Sequence, residues 1–179
     1  MKKLLFIIFL FPLTCFCQEI KLPTDSSGKV IYSEVINLDS NLSANELFKR
    51  AKSWFVQTYN SSKEVIQDAD QETHTITGKA LMIAHMTVMG ATNNWGHVKY
   101  FISITCKDGR YRIIISDFFH ENEPYVGIGI VDNNVKSDGV NFRKKDYSRV
   151  VEEVNNYALS LIASIKEAMN KKLSSSNDW

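Results

Sequence analysis

Gly96–Phe119, GHVKYFISITCKDGRYRIIISDFF, places two runs of β-branched and aromatic residues on either side of Asp108-Gly109. Glycine tolerates positive φ and aspartate tolerates the left-handed region, so the pair predicts a tight hairpin turn. A two-residue loop sets Cys106 opposite Tyr111, Ile104 opposite Ile113, Ile102 opposite Ile115, Tyr100 opposite Asp117 and Val98 opposite Phe119. Side chains alternate along strands, so these residues share one face, nearly all apolar, which is the expected core face. The other face takes Lys99, Phe101, Ser103, Thr105, Arg112, Ile114, Ser116 and Phe118. A bulge in the turn would slip the register by one and reassign the faces.

Upstream of the hairpin, Val30–Leu38 is β-branched and reads as a first strand. Ser43-Ala44-Asn45-Glu46 fits a capping box, with Leu42 and Leu47 at the hydrophobic-staple positions. Leu47, Phe48, Ala51, Trp54, Phe55 and Thr58 then recur at helical spacing. That helix should bury Trp54 and Phe55. Glu64–Ala69 and His74–Ile83 read as two short strands, and residues 84–96 as a loop or irregular hairpin. Downstream, Tyr125–Val131 reads as one more strand before a polar loop. The apolar positions from Tyr147 to Met169 fall at spacings of three and four and mark a long helix. Its 23 apolar-patterned residues span about 34 Å, against about 20 Å for a six-residue strand. Ile165 and Met169 should therefore overhang the sheet unless something covers them. The expected fold is α+β: a two-layer sandwich of an antiparallel sheet with two helices on one face, in the order β-α-β-β-β-β-α.

The chain ends bound the class of protein. Met1-Lys2-Lys3, an apolar run from Leu4 to Leu13 and the segment Thr14–Gln18 describe a secretory signal peptide. The run is shorter than the about 20 residues a membrane-spanning helix needs. Cleavage after Cys17 gives the expected layout: signal peptide 1–17, extended lead-in 18–29, one α+β domain 30–172 and a tail 173–179. Thr14 and Phe16 are poor neighbours for a lipidated cysteine, so a periplasmic or secreted protein is expected over a lipoprotein. Lys2 and Lys3 leave with the signal, which takes 21 basic residues against 20 acidic to 19 against 20. Cys106 remains alone, so no intramolecular disulfide can form. A near-neutral chain lacks the basic footprint of a nucleic-acid binder.

Three segments together resemble a known family: ANELFKRAKSWFVQTYNSSKEVIQ (44–67), ITGKA (76–80) and VKYFISITCKDGRYRIIISDF (98–118). They are similar to DUF4468, an exported family of unknown function described as having a TBP-like fold and found mainly in Bacteroidetes. The likeness runs from about Val30 to Phe119, and Asp178-Trp179 also looks like tails in that family. It implies a TBP-like fold and export, and it carries no catalytic residues. DNA binding does not follow from the fold. Minor-groove binders of this type need basic residues and apolar wedges, and Lys99, Arg112, Phe101 and Phe118 offer too little charge.

Chemistry-bearing motifs are sparse. His74, His85, His97 and His120 lie in different segments, none at a ligand spacing such as HExxH. A metal-dependent hydrolase built on His85, His97 and His120 is the competing reading. Cys106 falls on the core face and is expected to be an inert buried thiol. Gly127-Ile128-Gly129 lacks the third glycine and the following helix of a phosphate loop, and no cofactor motif occurs. Trp95, among Thr92, Asn93, Asn94 and Gly96, is either an exposed recognition side chain or a lid over the sheet edge. The preferred reading is a non-catalytic exported module that contacts a protein or other envelope ligand through the open sheet face. Trp95, Phe101, Ile114 and Phe118 are its expected contact residues.

Overall fold

The computed structural model describes residues 20–38, 42–88, 90–123, 127–133 and 144–171. The expected signal peptide, the tail, Pro124–Val126 and the polar loop 134–143 lie outside the described residues. The elements in order are β1 (Ile31–Asn37), α1 (Ala44–Thr58), the one-turn α2 (Ser62–Val65), β2 (Ile66–Asp70), β3 (Thr75–Val88), β4 (Ala91–Lys107), β5 (Arg110–Glu121), β6 (Gly129–Ile130) and α3 (Lys144–Asn170). The sheet runs β1-β5-β4-β3-β2 with every pairing antiparallel, and β6 continues the β1 edge against the far end of β5. No described helix is long and apolar enough to cross a membrane.

The β4–β5 hairpin organises this sheet. Gly109 holds φ +68°, as the turn requires. Cys106, Ile104 and Ile102 face Tyr111, Ile113 and Ile115 as their alternation dictates. Asp108 also works outside its own turn: its Oδ1 accepts from the Ala44 N–H at 2.7 Å, one of the unpaired donors at the start of α1. Ser43 caps the same helix by accepting from the Glu46 N–H at 3.2 Å. The Glu46 carboxylate turns instead to Arg50, 3.3 Å away, so only half of the expected capping box forms.

Beyond Phe101 the expected register fails. Phe101 faces Ser116 and Lys99 faces Phe119, so Asp117 and Phe118 together oppose Tyr100. This is a β-bulge, with Asp117 at φ +60°. The slip sends Phe118 into the core, at 3% exposure, and Phe119 out to solvent. A second bulge, in β4, sets Trp95 and Gly96 against Ala84, between the pairs Ile83–His97 and His85–Asn94. Of the two alternatives for residues 84–96, the irregular hairpin is the one that forms: β3 and β4 run on to a turn at Gly90.

α1 and α3 pack on one face of the sheet and close the core. Trp54 is buried, donating its indole N–H to Ser164 Oγ at 2.9 Å, edge-on to Phe55 at 5.0 Å. Gly78 makes room for that ring, since a Cβ there would lie 2.6 Å from Phe55 Cε1. Tyr59, Tyr100 and Tyr157 join α1, β4 and α3 through hydroxyl contacts of 3.1 and 3.2 Å. The far end of α3 is covered, as the alternative to exposure required: Ile165 and Met169 are wholly buried. α1 reaches that far: the buried Arg50 donates to the Met169 carbonyl at 2.7 Å, satisfying an end-of-helix acceptor. The lead-in is also more than a polar strap. Leu22 is buried, and its backbone exchanges two 2.8 Å hydrogen bonds with the Asn133 side chain.

Candidate functional site

The sheet face opposite the helices carries the alternate residues of each strand. Val35 of β1, Arg112 and Ile114 of β5, Phe101 and Lys99 of β4, and Lys79, Leu81 and Ile83 of β3 all lie on it. The β5 bulge adds Phe119, and its partner Ile130 extends the surface onto β6. Nine large apolar side chains are exposed among the described residues, and six of them stand on this face: Val35, Leu81, Ile83, Phe101, Phe119 and Ile130. Water contact costs each of them its hydrophobic stabilisation, so their concentration on one face distinguishes that face from the rest of the surface.

Two of the four expected contact residues hold their place. Phe101 is 38% exposed and Ile114 partly so. Phe118 and Trp95 are removed from the surface by the two bulges, and alternation alone could not have shown this. Trp95 packs inward with its ring 5.0 Å from His120, nearer the lid alternative than the recognition one. Leu81, Ile83 and Val35 were legible as outward positions once their strands were read, but the expected contact set omitted them.

Charge is unevenly spread over the face. Lys79 lies over the Phe101 ring at 5.6 Å, a cation–π contact. Lys99 is neutralised by Glu121 at 2.6 Å. Lys107, Arg110 and Arg112 have no carboxylate partner among the described residues. Asp68 and Asp70 face outward at the opposite edge, on β2.

The histidines do not converge. Among the described residues no three His, Cys, Asp or Glu side chains come together as a metal would need. His120 is fully buried with both ring nitrogens in use: Nε2 stands 2.7 Å from the Trp95 carbonyl, and Nδ1 accepts from the Ile128 N–H at 3.1 Å. That pairing requires the neutral Nε2–H tautomer, so neither nitrogen is left for a metal. Burial lowers the His120 pKa from its ordinary value. His85 is exposed beside Glu153, and His97 is exposed in a polar recess with Lys99, Glu121 and Asn122. Burial pushes the Cys106 thiol up to about 12, which suits an inert core residue.

The family model described as a domain of unknown function (DUF4468) with TBP-like fold matches residues 32–121, from β1 through the end of β5. The chain belongs to the DUF4468 family. Solved structures share the architecture of this DUF4468 chain over more than the matched segment. A TBP-like protein from Parabacteroides distasonis is 22% identical, with a TM-score of 0.66 over 84% of this chain and 98% of that one. A DUF4468 family protein from Bacteroides ovatus is 15% identical, with a TM-score of 0.67 over 86% of this chain and 93% of that one. At these identities the likeness concerns the fold alone. No curated protein matches the chain in sequence.

Proposed function

We propose that this DUF4468 chain is an exported, non-catalytic binding module whose working surface is the open face of its sheet. The observation that supports this reading is the gathering of six exposed large apolar side chains on that one face, while the described residues of the helices expose only Val56 and Leu159. Exposed large apolar side chains gathered on one face are a mark of contact surfaces. The strands beneath it are held by a largely apolar core face, and a surface preorganised on a sheet loses little entropy on docking.

The test passes separated envelope fractions (membrane vesicles, cell-wall material and soluble proteins) over the immobilised chain. Retention should be abolished by the pair Leu81→Asp and Phe101→Asp, and kept by Val56→Asp on the helical layer. Retention that ignores the open-face pair, or none from any fraction, removes the reading.

A further inference from the structure

The corner of the open face at the β4–β5 turn carries charge that the described chain does not neutralise. Lys107 and Arg110 are direct cross-strand partners, and Arg112 in the next row stands between Val35 and Thr105. Strands about 4.8 Å apart and rows about 7 Å apart crowd three cations into one small patch. Like charges placed directly opposite on a ladder destabilise it. Elsewhere among the described residues Lys29, Lys99 and Lys166 each hold a carboxylate, on Asp117, Glu121 and Glu34. A cavity of about 220 Å³ opens here, lined by Val35, Thr105 and the three cations, together with Tyr111. Thr105 Oγ1 stands 3.2 Å from Thr75 Oγ1, and Thr105 borders the recess. Two guanidinium forks and an ammonium thus offer donors around a space with one apolar wall.

We infer that this corner is an anion-binding site whose ligand is a phosphoryl group carried on an apolar body. A carboxylate would leave two of the three positive charges unanswered. A phosphomonoester or pyrophosphate brings more charge, and a tetrahedral set of oxygens that both arginine forks can meet bidentately. The apolar body then lies over Val35 towards Ile114 and Phe101, so the assignment rests on the open face being the working surface and names the chemistry it selects.

Two arms test it on the full chain. The first titrates inorganic pyrophosphate calorimetrically; the second sediments the chain with phosphatidylcholine vesicles with and without phosphatidic acid. Saturable binding is expected, weakened at least tenfold by Arg110→Gln with Arg112→Gln and unchanged by Lys52→Gln, at an exposed lysine of α1 on the helical layer. The double variant relieves repulsion, so its Tm should not fall, which separates lost binding from lost folding. Phosphatidic-acid-dependent sedimentation identifies a lipid headgroup as the source; pyrophosphate binding without it identifies a soluble phosphate compound. No saturable binding in either arm, or binding that the double variant keeps, overturns the site. Envelope retention that depends on Leu81 and Phe101 while both arms stay blank removes the anion site and leaves the binding module. Anion binding without such retention does the reverse.

Discussion

His120 ties three segments with one ring, and its titration should be visible in the stability of the whole chain. Burial is the largest influence on it and lowers its pKa, with His97 adding to the lowering while the Trp95 carbonyl and Glu153 oppose it. The unfolded chain, with an ordinary histidine pKa of about 6.5, therefore takes up the proton first. Below that pH the unfolded state binds more protons than the folded one, so stability is full above about 6.5 and is lost as pH falls towards the depressed folded value. Protonation also cancels the acceptor that Nδ1 offers to Ile128. Urea unfolding at pH 7.5 and 5.5 should show this fall, and His120→Gln should flatten it; an equal slope in both proteins would assign the proton elsewhere. Trp54 makes a simpler case. It is buried and hydrogen-bonded to Ser164, so Trp54→Ala should cost about 3–5 kcal/mol. A loss below about 1 kcal/mol in the same assay would contradict its role as the α1 anchor.

The two bulges divide what was readable in the sequence from what was not. Alternation from the Asp108-Gly109 turn correctly pairs three residues on each strand, and the helical spacing of α1 and α3 assigns their buried faces except at Thr58, which is exposed. It fails at Asp117, because nothing in a period-two pattern marks the residue that will take φ +60°. Phe118 and Phe119 are chemically the same, so either could have faced inward; the bulge chooses. Trp95 was misplaced for a related reason. Asn93, Asn94 and Gly96 read as loop, yet Gly96 is there for a close backbone approach within a ladder. Its φ is +93°, and a Cβ would stand 2.0 Å from the Glu121 carbonyl oxygen. Gly96→Ala should therefore strain the backbone by about 1–3 kcal/mol and push the end of β5 away from β4. Amide exchange of residues 119–122 should accelerate in that variant more than exchange of residues 111–115. Uniform acceleration would mean that the bulge is not a local device.

At the scale of the whole molecule, two helices on one side of a six-stranded sheet make strand parity an experimental variable. Outside the bulges, every strand residue belongs either to the layer that holds the fold or to the face left to solvent, and neighbours in sequence belong to opposite ones. Ile102 and Ile104 are wholly buried; Phe101 sits between two core positions and is 38% exposed. Ile102→Ala or Ile104→Ala should cost about 2–5 kcal/mol, the usual loss for a buried aliphatic side chain. Phe101→Ser, Leu81→Ser and Ile83→Ser should each stay within about 0.5 kcal/mol of the parent, as exposed substitutions do. Chemical denaturation of this set reads the parity directly. The contrast matters because large apolar side chains that add little to folding, yet remain clustered on one face, need another reason to be there. If Leu81→Ser and Phe101→Ser instead destabilised the chain as much as the core variants, the open face would be structural. Its apolar surface would then already be in use by the fold, and the case for a ligand on it would fall with that result.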